Sequence, residues 1–67
     1  MMIHQQAAAQ KLGELFLEAR NFRDHWKHVS NGKSPNVHYW DARMSAFRDS
    51  ARGLGVIVLF NKFIEKS

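Results

Sequence analysis

Four histidines are the first residues in this chain that could do chemistry: His4, His25, His28 and His38. His25 and His28 are three apart, so on a helix they share a face. With His38 or His4 they could offer imidazoles to Zn²⁺ or Ni²⁺. A metal site needs three or four converging ligands, and no His-Glu-x-x-His pattern supplies them. The reading favoured here is four solvent-facing histidines beside an aromatic stripe, with no metal. Glu14 and Glu18 share a face near the start of the first predicted helix, where the helix dipole favours acids. They fall on its solvent side, away from any cleft in which paired carboxylates would act. Asp41 has the same explanation near the start of the second helix. The i,i+4 pairs Arg20–Asp24 and Asp24–His28 read as ordinary helix-surface ion pairs.

The nucleophiles offer no more. Cysteine is absent, which removes thiolate catalysis, cysteine-based metal sites and disulfides. Ser30, Ser34, Ser45, Ser50 and Ser67 sit in no nucleophile motif. Gly53-Leu54-Gly55 follows a predicted helix rather than a strand and completes no phosphate-binding pattern. The expectation is a non-enzymatic chain with no cofactor and no small-molecule substrate.

Cations and aromatics are the stronger signal. Arg48 and Arg52 share one face of the second helix, with Arg43 to one side. Arg20, Arg23 and Lys27 form a similar flank on the first. Residues 31–67 carry six Lys or Arg against three acids, and residues 1–30 carry four against three. Such flanks could meet several phosphates or pair bidentately with carboxylates. Asp24, Asp41 and Asp49 interrupt them. Asn36, His38, Tyr39 and Arg43 cluster at the loop end as a polar-aromatic contact surface. Trp26 and Trp40 read as core.

The elements that must position these groups follow from spacing. Leu12, Leu15, Phe16, Ala19, Phe22, Trp26 and Val29 recur at gaps of mostly three and four, which places them on one helical stripe over about residues 5–29. Gly13 interrupts it at a cost of about 1 kcal/mol relative to Ala. Asn31-Gly32 marks a left-handed helix end, and Ser34-Pro35 an N-cap followed by a first-turn proline. Val37, Trp40, Met44, Phe47 and Ala51 make the second helix, about residues 35–52. The short connection folds the two into an antiparallel hairpin. Gly53 and Gly55 then break the chain before an apolar tail of about residues 54–66. Val56-Ile57-Val58-Leu59-Phe60 could form a strand, since Val and Ile are β-branched. A lone strand has no partner, so a short third helix is favoured. Five consecutive apolar residues put apolar side chains all round it. Leu54, Ile57, Val58, Leu59, Phe60, Phe63 and Ile64 are therefore expected to form the interface of a homodimeric helical bundle.

With 67 residues, the chain has room for one small all-α domain. Its aromatic content of 12% and the spread of those residues argue against disorder. The run from Met1 to Gln6 lacks the build of a signal peptide. No apolar run approaches the roughly 20 residues of a membrane span. A cysteine-free domain of this size points to a cytoplasmic setting. The function expected from the sequence is a small adaptor or inhibitor that binds another protein stoichiometrically, a build associated with phages and mobile elements. The alternative is a basic nucleic-acid-binding regulator; the net charge of +4 permits either.

Overall fold

The computed structural model describes residues 2–67, with side chains from His4 onward; Met1, and the part of the leader-peptide reading that rests on it, lie outside them. The all-α expectation holds, with helices α1 (Met2–Ser30), α2 (Pro35–Gly53) and α3 (Ile57–Glu65) and no strand among the described residues. The strand alternative for Val56–Phe60 is excluded: Val56 caps α3 and the next four residues are helical. No helix is long and apolar enough to cross a membrane.

Both breaks form for local reasons. At the first, Asn31 takes φ 53° and Gly32 φ 79°, the left-handed conformations that Asn and Gly tolerate best. The Gly32 amide reaches back to the Lys27 carbonyl at 3.0 Å, closing α1. The Ser30 hydroxyl donates to the Trp26 carbonyl and accepts from the Ser34 amide, tying the loop to the helix it leaves. Ser34 then caps α2 by accepting from the Asn36 amide at 3.2 Å, with proline in the first turn as expected. At the second break Gly55 takes φ 75°. The Val56 amide donates to the Ala51 carbonyl at 2.9 Å and the Gly55 amide to Arg52 at 3.1 Å, a complete Schellman closure. Val56 and Ala51 are both buried, which supplies the apolar contact such a closure carries.

Helix α1 is the spine. Phe22 stacks on Trp40, Arg23 pairs with Asp41, and Arg48 lies over Phe16, so α2 runs back along the second half of α1. Phe60 meets Phe16 edge to face at 5.4 Å. Phe63 lies over Gly13, which places α3 on the first half. Around Phe16 the helices meet in one core of Ala9, Phe16, Ala19, Met44, Ala51, Val56 and Phe60. The outcome is long and thin, 44 × 21 × 13 Å, with a radius of gyration of 13.0 Å. A compact chain of this length would have about 11 Å. Its accessible surface of 4905 Å² likewise exceeds the roughly 4,400 Å² typical of this mass. Part of the apolar supply is therefore left uncovered by the chain itself.

Four expectations need correction. Phe60, assigned above to an interface between copies, is 0% exposed inside this chain's own core. The tail is not apolar on every exposed side. Val56 is buried, and Ile57, Leu59, Phe63 and Ile64 are half-buried; of the consecutive run only Val58 points outward, beside exposed Asn61 and Lys62. Leu54 belongs to the corner that closes α2, not to α3. Finally, the stripe of α1 is rotated. Phe22 and Val29, expected inside, are exposed, while Gly13 is buried.

Candidate functional site

The exposed edge of the α1 stripe leads to the site. A helix turns about 100° per residue. On that basis α2 has three faces. Val37, Met44 and Ala51 form the buried one. His38, Asp41, Ser45, Arg48, Asp49 and Arg52, all exposed, form an ordinary charged face. The third spans about 160° of arc and holds Asn36, Tyr39, Trp40, Ala42, Arg43, Ala46, Phe47 and Ser50. Every one of these is exposed or half-buried, and Arg43 is the single charge among them.

Direct contacts make this third face one continuous surface with α1. Phe22, 43% exposed, stacks on Trp40 with ring centroids 4.8 Å apart and planes 20° from parallel. Tyr39, 53% exposed, meets Trp40 edge to face at 5.0 Å. Because residues three and four apart are helical neighbours, the Arg43 guanidinium lies among all three rings of its own face. It is 5.8 Å from Tyr39 and from Trp40 and 5.4 Å from Phe47. Ring faces attract the cation and hold it in place, but they satisfy none of its five N–H donors.

The other predicted contact residues divide differently. Arg23 is committed: its guanidinium donates to Asp24 at 2.9 Å and to Asp41 across the helix pair at 3.2 Å. The hydrogen bond to Asp24 raises its pKa above the ordinary arginine value, against partial burial and with further help from Asp41. Asp24 thus pairs with its neighbour rather than with Arg20 or His28. Arg52 lies 3.7 Å from Asp49. Arg48 sits 5.3 Å over the Phe16 ring. Arg43 is separated from Arg48 and Arg52 by about 140° and 180° around α2, so these three do not make one basic patch. Arg20 is half-buried and Lys27 exposed on α1. His38 falls on the charged face, parted from Tyr39 and Arg43, with which it was grouped.

The remaining candidates are placed as follows. His25 is exposed and lies edge-on to Trp26 at 5.5 Å. Glu14 is exposed and accepts from the Gln10 amide at 3.2 Å. Leu59 and Phe63, expected in the dimer interface, line an open groove with Ala9, Lys62 and Lys66 where α3 meets the start of α1. Reading by type singled out Tyr39 and Arg43 for a contact surface and put Phe22 and Phe47 on apolar stripes; Phe47 does pack against the core, half-buried, while Phe22 is exposed. The near absence of charge on one side of α2 is the signal that could have marked the face holding Tyr39 and Phe47; nothing in α2 points to Phe22. The chain matches no family model, and neither a curated protein nor a solved structure is detectably similar to it.

Proposed function

We propose that this chain is a small non-enzymatic protein-binding module, an adaptor or inhibitor that acts by stoichiometric contact. One observation carries the reading: a contiguous run in which exposed Phe22, Tyr39 and Arg43 join half-buried Trp40 and Phe47. Trp, Tyr and Arg are the residues that dominate interface energies, and an ordinary solvated helix face carries charges instead. Affinity capture with the wild-type chain and with the Tyr39→Ala/Arg43→Ala pair tests it. A partner retained near equal stoichiometry by the first and lost by the second supports the reading. Equal retention by both, or no stoichiometric partner, counts against it.

An antiparallel hairpin in a homodimeric bundle accompanies this proposal, now resting on exposed Leu54 and Val58 rather than on Phe60. Sedimentation of wild type and of the Leu54→Asp/Val58→Asp pair addresses it: a dimer that becomes a folded monomer supports this interface. The nucleic-acid alternative rests on exposed Arg48 and Arg52, four apart on α2. Fluorescence anisotropy with duplex DNA and single-stranded RNA at about 50 and 200 mM salt tests it, since phosphate contacts weaken steeply over that range. Binding that survives Arg48→Ala/Arg52→Ala argues against that route.

A further inference from the structure

The proposed protein-binding role says nothing of what kind of partner the surface selects, and the charge distribution around α2 does. We infer that the outer face of α2, joined to Phe22 of α1, seats an acidic amphipathic segment of the partner, with a partner carboxylate held by the Arg43 guanidinium. The inference rests on the protein-binding reading and adds the chemistry of the partner.

Three observations carry it. First, Arg43 is the one charge on an otherwise uncharged face, and no carboxylate of this chain pairs with it among the described residues; Arg23 has two and Arg52 one, and Arg48, also without one, lies on the charged face. Its planar fork matches a carboxylate bidentately, and three rings keep it in position before a partner arrives. Preorganisation of this kind lowers the ordering cost of binding. Second, Phe22, Tyr39 and Phe47 offer apolar surface around that cation, while Ala42, Ala46 and Ser50 on the same side of α2 are short. That combination suits a segment with large apolar side chains and an acid among them, laid against the helix. Third, charge sign separates the possible occupants. A second copy seated symmetrically on this face would bring Arg43 against its equivalent, with no acid on the α2 face to relieve the repulsion. The chain's net charge of +4 favours an acidic partner over a basic one.

Selection of randomised displayed peptides against the full-length chain tests the inference, because it samples partner chemistry without assuming a sequence. Enriched peptides should combine Asp or Glu with large apolar residues. They should lose about tenfold or more in affinity for Arg43→Gln, the scale of a lost charge-assisted hydrogen bond. Arg43→Lys should fail to restore the full affinity, and Arg52→Gln should leave it unchanged. Circular dichroism on each variant verifies the fold; should Arg43→Gln not fold, Arg43→Lys and amide chemical-shift mapping on wild type carry the test. Neutral or basic peptides that map to Phe22, Tyr39 and Phe47 overturn the acidic partner and leave the protein-binding face standing. Peptides that map elsewhere, self-association through this face, or no enrichment at all overturn the inference. If affinity capture also yields no partner, the broader reading falls as well.

Discussion

Replacing Gly13 with alanine separates helix propensity from packing in a single substitution. Gly13 lies in the interior of α1, where alanine is ordinarily worth about 1 kcal/mol of added stability. Here the added methyl would lie 2.8 Å from Cε1 and 3.1 Å from Cγ of Phe63, and closer still to Cδ1. Carbon atoms rest about 3.5–4.0 Å apart, so the ring must retreat by about an ångström or α3 must lift from α1. Overpacking of this kind costs about 1–3 kcal/mol. We expect Gly13→Ala to be destabilising by up to about 2 kcal/mol net, lowering Tm by about 4–8 °C for each kcal/mol in a domain of this size. In a Phe63→Ala background the obstacle is gone, and the same substitution should stabilise by about 1 kcal/mol. The coupling between the two positions is then about 1–3 kcal/mol, the overpacking cost itself. Urea and thermal denaturation of the four chains, followed by far-ultraviolet circular dichroism, measure the full cycle. A stabilising Gly13→Ala in the native background, or the same effect in both backgrounds, would refute the close approach of α3 to α1.

Further expectations concern the core, the corner and the ion pair. Phe60→Ala removes a fully buried ring and should cost about 3–5 kcal/mol, enough to unfold most of a chain with a total stability of about 3–10 kcal/mol. Gly55→Ala should cost about 1–2 kcal/mol because of its left-handed backbone, while Gly53→Ala, with open space at its Cβ, should be neutral or stabilising in the same melts. Asp41→Asn should cost less than about 1 kcal/mol, because the Arg23–Asp41 pair is partly solvent-exposed. The raised pKa of Arg23 makes its contribution complete below the ordinary arginine value and lost only as pH rises through the folded one. A pH titration of stability should therefore show no Arg23 transition near neutrality; a loss of stability there that disappears in Arg23→Gln contradicts the assignment.

The elements were more legible than their faces. Asn31-Gly32, Ser34-Pro35 and the paired glycines act through local backbone chemistry, and all appear where their residue types demand. Periodicity identified an apolar stripe on α1 but could not say which edge the neighbouring helices would cover. Gly13, read as a weak point, is where Phe63 of α3 comes close. On the other half of α1, beside α2, Phe22 and Val29 stay exposed. The apolar run at Val56–Phe60 is legible as a helix but not in its burial. Its all-round apolarity points to a second chain, while α1 and the end of α2 bury or half-bury all but Val58 and leave only that residue and Leu54 exposed for one. At the candidate site, Tyr39 and Arg43 were legible by type and spacing. Their union with Phe22 was not, because it forms across two helices.

The placement of the buried side chains has a consequence for motion. Phe60, Val56, Ala51, Met44 and Phe16 belong to one core cluster, while Val37, nearest the loop, is the buried hydrophobic residue outside it. Regions with few buried contacts open below the global unfolding free energy. Amide hydrogen exchange should therefore be faster across the loop-proximal turns of α1 and α2 than around Phe16 and Phe60. Phe22, Tyr39 and Arg43 lie on that loop-proximal half, so the backbone beneath the proposed contact surface should exchange sooner than the backbone around Phe16 and Phe60, even with the Arg43 side chain held among its rings.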